Sequence, residues 1–124
     1  MQNYKTLKVW EKAHAFTLNI YKTTLGFPQI ETYALSDQMR RSTSSIPTNI
    51  AEGCGRNSNM ELAHFFNISL GSSNEIDYQT LLAKDLGYIS QEQYDLLKTQ
   101  IGEIKAMLIS FISKIRNPNP KLKT

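Results

Sequence analysis

The segment Gln38-Met39-Arg40-Arg41-Ser42-Thr43-Ser44-Ser45-Ile46-Pro47-Thr48-Asn49-Ile50-Ala51-Glu52-Gly53-Cys54-Gly55-Arg56 sets the reading of the whole chain. Leu35, Met39, Ile46 and Ile50 fall on one face at helical spacing. A proline stands in the middle of that line, where it removes an amide donor and crowds the carbonyl of Thr43. The apolar phase nevertheless continues past Pro47. The segment therefore reads as one helix, from Thr32 or Ser36 to Cys54, kinked at the proline. A helix that stops at Ser45 and restarts at Pro47 is the alternative. The hydroxyls of Ser42, Thr43, Ser44 and Ser45 surround the break and are placed to satisfy the freed carbonyl. Gly53 and Gly55 close the helix.

Working outward, Val9, Ala13, Phe16 and Ile20 mark an earlier helix over Lys8 to Leu25, ended by Gly26, Phe27 and Pro28. A third helix starts at Ser58 or Asn59, with Ser58 and Glu61 matching a capping box, and runs to Leu86. Its core line is Leu62, Phe65, Phe66, Ser69, Ser73 and Ile76. Gly71 sits mid-helix at a cost of about 1 kcal/mol against alanine. Its small neighbours Ser69, Ser72 and Ser73 suggest that another backbone or a bulky side chain packs against it. Ser90 and Gln93 match a second capping box, and Tyr94, Leu97, Ile101, Ile104, Leu108, Phe111 and Ile115 continue an unbroken apolar line. The expected architecture is all-α: an up-down antiparallel four-helix bundle over residues 1–117, with 118–124 as a flexible basic tail.

Composition agrees with one soluble domain. The chain has 124 residues, 40% of them hydrophobic, a formal net charge of +3, a pI near 9.0 and a single cysteine. A lone Cys54 forms no internal bridge, which favours a reduced, cytoplasmic setting. The N-terminus lacks the apolar stretch of a signal peptide, and no run is long enough to span a bilayer. The charge permits nucleic-acid contact without demanding it.

Signals for catalysis are thin. Glu11 with His14 and Glu61 with His64 each match the Glu-x-x-His pattern of di-iron bundles. Glu52 has a suitable height, but the end of the last helix carries no carboxylate. Glu11 and His64 also point away from their helices' apolar faces. No phosphate-cradling glycine loop is present, and Cys54 has no local histidine to activate it. The sequence therefore implies no enzyme, no cofactor, no metal and no small-molecule substrate. Internal pairing is the first reading for Glu52, and phosphate contact by Arg40, Arg41 or Arg56 the second, with Lys5, Lys8 and the tail lysines as further candidates. No exposed aromatic platform for bases is legible. Trp10, Tyr21 and Ile109 lie off the core lines, which points to subunit contacts.

Several motifs resemble one family, the four-helix-bundle proteins encoded by intervening sequences in bacterial large-subunit ribosomal RNA genes. They are Tyr4 to Ala13, Ile20 to Thr24, Phe27 to Glu31, Gln38 to Gly53, Gly55-Arg56 and Ser69 to Glu75. The Ile46-Pro47-Thr48-Asn49-Ile50-Ala51-Glu52-Gly53 core is the specific part. The resemblance implies a non-enzymatic protein that assembles into ring-shaped homopentamers. A bundle related in fold is the basic accessory protein of diversity-generating retroelements, which works with a reverse transcriptase and nucleic acid. By that analogy RNA or DNA is a possible partner beside the chain itself.

Overall fold

A computed structural model describes residues 2–117. A short turn of 3-10 helix at Tyr4–Thr6 leads into α1, Lys8–Thr24. A second such turn at Gln29–Glu31 precedes α2, Leu35–Cys54. Then come α3, Asn59–Asp85, and α4, Gln91–Arg116. Each helix packs on its neighbours in sequence, and α4 closes back on α1 through a thinner seam. The α2–α3 pairing runs antiparallel. Gly53 lies against Leu62 and Phe65, while further back along α2 the Ile46 carbonyl meets Ser69 and Ser45 meets Ser72. The chain is an all-α four-helix bundle, as its periodicity requires. The C-terminal tail expected over 118–124 lies outside the described residues.

The expected core lines of α1 and α2 are buried in full: Val9, Ala13, Phe16 and Ile20 face Leu35, Met39, Ile46 and Ile50. On α4 the line shifts at its end. Ile112 is buried, whereas Phe111 and Ile115 are only partly covered. A strict three-four alternation drifts about 20° per heptad on a straight helix, so the buried position slips by one residue. Phe111 instead reaches sideways, its ring 4.7 Å from that of Phe66. On α3, Leu62 and Phe65 flank the core, and Ala63, Gln79, Thr80 and Ala83 extend it.

α2 continues unbroken through Pro47, so the single-helix reading holds, and the expected kink does not emerge as a break in the helix. The freed carbonyl of Thr43 finds its donor on another helix. Thr17 of α1 directs its hydroxyl to that oxygen at 3.1 Å, sharing the proton with the Ala13 carbonyl at 2.8 Å. The hydroxyls expected to serve it are used elsewhere. Ser42 donates to Gln38 and Ser44 to Arg41, both backbone carbonyls. Thr43 donates toward the Thr17 hydroxyl, and Ser45 takes a bond from Ser72 at 2.8 Å.

The caps differ in quality. Ser90 and Gln93 form the complete reciprocal box at the start of α4, with bonds of 3.1 and 2.9 Å. At α3, Ser58 accepts from the Glu61 amide at 3.2 Å, but Glu61 turns its carboxylate to the Ser58 hydroxyl rather than to its backbone. Neither Thr32 nor Ser36 caps α2. The Glu31 carboxylate does so, taking the Leu35 amide at 3.3 Å.

Gly71 corrects the expectation placed on it. A Cβ added there would meet nothing within 4 Å, because the residue faces outward on α3. The close approach belongs to Gly53, whose added Cβ would stand 3.1 Å from the Phe65 Cβ and 3.3 Å from a Leu62 methyl. Gly71→Ala is expected to raise unfolding free energy by about 1 kcal/mol. Gly53→Ala is expected to lower it, and Thr17→Val to lower it by about 1–3 kcal/mol through the orphaned Thr43 carbonyl. Urea denaturation of the three variants distinguishes these signs.

Candidate interaction surfaces

The α2–α3 corner gathers three of the charged residues that the sequence singles out, Glu52, Arg56 and Glu61. Glu52 stands on the last turn of α2, and Arg56 follows in the connection. Arg56 Nη2 donates to Glu52 Oε2 at 3.0 Å, and Nη1 lies 3.8 Å from Glu61 Oε2. The same guanidinium lies over the Phe65 ring at 4.8 Å. One cation thus ties the end of α2 to the first turn of α3. The contacts are surface pairs, each worth at most about 1 kcal/mol, but they share one rigid planar group.

The twin arginines separate, as adjacent positions on a helix must. Arg40 crosses to α1, where its Nε donates to Thr24 Oγ1 at 2.9 Å and its guanidinium lies 5.2 Å from the centre of the Tyr21 ring. Arg41 is exposed and pairs with Asp37 one turn back at 3.0 Å. Arg40, Arg41 and Arg56 are therefore all engaged within the chain. Lys5 and Lys8 are exposed and make no ion pair among the described residues.

The di-iron constellation is not assembled. His14 stacks on Trp10, His64 meets Phe65 edge-on, and both imidazoles are exposed. Glu52 and Glu61 converge on Arg56 instead. Among the described residues no three His, Cys, Asp or Glu side chains gather as a metal would need.

Of the residues expected at subunit contacts, Tyr21 and Ile109 are exposed on different helices. Trp10 is partly covered by its own chain. Tyr4 meets it edge-on at 4.9 Å, and His14 stacks nearly parallel at 5.0 Å and 7°. The sequence did not disclose this aromatic group as a unit. The four-residue interval from Trp10 to His14 was a legible signal, whereas Tyr4 arrives only through the Tyr4–Thr6 turn.

Two titrating groups sit in structural roles. Tyr88, between α3 and α4, donates its hydroxyl to Glu31 Oε2 at 2.6 Å, and its ring packs against Phe27 at 5.2 Å. Glu31 thereby caps α2 with one oxygen and holds the far loop with the other. The hydrogen bond to Glu31, then burial, then the Glu31 charge push the phenol's pKa above its ordinary value. Burial likewise pushes the Cys54 thiol up.

The fold and these surfaces define a small helical bundle whose conspicuous side chains hold its own helices together and whose remaining ones face outward. The chain belongs to the 23S rRNA-intervening sequence protein family, whose model matches residues 5–110. A crystal structure of a protein with unknown function from the S23 ribosomal protein family of Bacteroides thetaiotaomicron is similar. It superposes with a TM-score of 0.76 at 32% identity, over 84% of this chain and 97% of that one. No curated protein matches. No helix of the described residues is long and apolar enough to cross a membrane.

Both shifted groups bind their protons more tightly in the folded state than in the unfolded chain. Stability is thus fully present below the unfolded pKa values and is lost as pH rises through the folded ones. The urea midpoint is expected to hold from neutrality to about pH 8.5 and to fall above it. Tyr88→Phe should make that alkaline fall shallower, a comparison that equilibrium unfolding at a series of pH values checks directly.

Proposed function

We propose that this protein is a non-enzymatic scaffold of the bacterial cytoplasm that assembles with copies of itself, five to a ring by the family resemblance. The observation that carries the reading is the presence of exposed apolar stripes on two unlike faces of one chain. On α1, Leu18, Tyr21 and Leu25 are 51%, 43% and 77% exposed and form one stripe beside α2. On the α3–α4 side, Tyr78 and Ile109 are 61% and 55% exposed, flanking the Lys105–Asp77 ion pair.

A ring needs such a pair of faces. Its contacts are head-to-tail, so each chain offers one patch to the neighbour ahead and another to the neighbour behind. A two-fold dimer would need only one. The glycines of the second face fit this reading. Gly71 lies two turns from Tyr78 and Gly102 two turns from Ile109, each on the same stripe as its apolar partner. A Cβ on either glycine would meet nothing within the chain. A bare helix surface of this kind suits the close approach of a second backbone. Trp10, already covered by Tyr4 and His14, is not needed for the contact. Arg40 holds Tyr21 in place from above and so shapes the first face.

Light scattering behind size exclusion should give about five times the chain mass of 14.1 kDa. Tyr21→Glu and Ile109→Glu should each yield monomers. An equimolar mixture of the two variants retains one intact pair of faces and should yield dimers only. Monomeric wild-type protein at micromolar concentration would sink the proposal.

A further inference from the structure

We propose that the Tyr4–Trp10–His14 group at the start of α1 is a base-stacking site for single-stranded nucleic acid. The rings of Trp10 and His14 lie 5.0 Å apart and within 7° of parallel, which is the geometry of a stack. His14 is exposed, so one face of the stack ends at solvent. Beside it lies an open hollow of about 340 Å³ lined by Tyr4, Trp10, His14, Pro47, Thr48 and Ala51. Its walls are rings and small side chains, with no carboxylate among them. That lining suits a flat ring.

Charge selects the occupant. Lys5 stands over the outer side of the Tyr4 ring, its Nζ 6.0 Å from the centre, and is exposed. It is placed to meet the phosphate of a nucleotide whose base reaches the stack. Lys8 is exposed on the other flank of α1, and Lys114 and Arg116 are exposed near the C-terminal end of α4. None of these cations makes an ion pair among the described residues. Of the carboxylates nearby in sequence, Glu11 is exposed and Glu52 is already held by Arg56. This end of the bundle therefore attracts a polyanion while the aromatic group supplies the contact with the base. Single strands combine both needs, because their bases are free to stack and every base has a π-face. A duplex satisfies only the first. The site lies within one chain and does not depend on the ring.

The protein carries one tryptophan beside six tyrosines, so its emission on selective tryptophan excitation reports on this site alone. The intact protein is titrated with oligo(dT) and oligo(rU) of about twelve nucleotides and with duplex DNA, at about 50 mM salt. Both single strands should quench Trp10 saturably, and the duplex should not. His14→Ala should weaken single-strand binding by about five- to hundred-fold, and His14→Phe should retain it. Lys5→Gln should reduce the slope of log affinity against log salt by about one. Circular dichroism confirms that each variant is folded. No quenching by either strand overturns the proposal, as does quenching that survives His14→Ala. Equal binding of duplex and single strand would mean phosphate attraction without stacking and overturns it too. So does quenching by a proline-rich peptide in place of the strands, which would make the hollow a peptide groove.

Discussion

The near approach of α2 and α3 is the constraint from which the rest of the bundle follows. At Gly53 the α2 backbone comes so close to Phe65 and Leu62 that a single methyl group would stand 3.1 Å from the Phe65 Cβ and 3.3 Å from a Leu62 methyl, tighter than ordinary contact. Further along, Ser69 donates to the Ile46 carbonyl at 2.9 Å and Ser72 to Ser45 at 2.8 Å. Helices held this close have no room for large side chains between them. That is why the buried face of α3 contains Ser69, Ser73 and Thr80, residues more often found at surfaces. Their hydroxyls are satisfied locally, Ser73 by the Ser69 carbonyl and Thr80 by that of Ile76. Burying them therefore avoids the cost of an unpaired polar group. The bulk that α3 cannot supply comes from α4, where Leu97, Ile101, Ile104 and Leu108 fill the core.

The proline belongs to the same design. Pro47 is buried and leaves the Thr43 carbonyl without its helical donor. Thr17 supplies one from α1, so the defect in one helix becomes a bond between two. This explains what the sequence could and could not disclose. Apolar periodicity is a property of one helix at a time, so α1, α2 and α4 were legible, as was the cap at Ser90. The Thr17–Thr43 bond, the Glu31–Tyr88 bond and the Arg40–Thr24 bond join residues far apart in sequence. Nothing local marks them. Gly71 misled for a related reason. Mid-helix glycine signals a close approach, but one residue's identity does not tell which side of the helix it occupies. Phase alone places Gly71 outside and Gly53 inside.

The charged residues carry a parallel lesson. Within the family motif, Arg40, Arg41 and Arg56 were candidates for phosphate contact and Glu52 for internal pairing. Their geometry engages them within the chain: Arg56 bridges Glu52 and Glu61, Arg40 spans to α1, and Arg41 pairs with Asp37. A basic motif spent on internal pairing leaves little free charge, which suits the modest net charge of +3. Exposed cations without an ion-pair partner among the described residues include Lys5 and Lys8, in the Tyr4 to Ala13 motif, and Lys22, Lys98, Lys114 and Arg116 elsewhere. The Ile46 to Gly53 core of the family pattern thus specifies helix contacts, and free surface charge lies outside that core.

The two ends of the bundle differ in charge. Lys5, Lys8, Lys114 and Arg116 collect where α1 begins and α4 ends. At the opposite end Glu31, Asp37, Asp85, Glu92 and Asp95 are balanced by Lys22, Arg40, Arg41, Lys84 and Lys98. Rotation about a ring axis keeps every chain pointing the same way, so such polarity is multiplied and not cancelled. A two-fold dimer of antiparallel chains would cancel it. The apolar stripe of α1 also divides along its length. Trp10 and His14 lie toward the basic end, and Tyr21 and Leu25 toward the opposite, neutral one. Subunit contact through the latter leaves the former open. The proposed assembly and the proposed nucleic-acid contact would therefore draw on different turns of one helix. In a ring the basic ends would then sit side by side on one rim, where weak single contacts act together at high effective concentration.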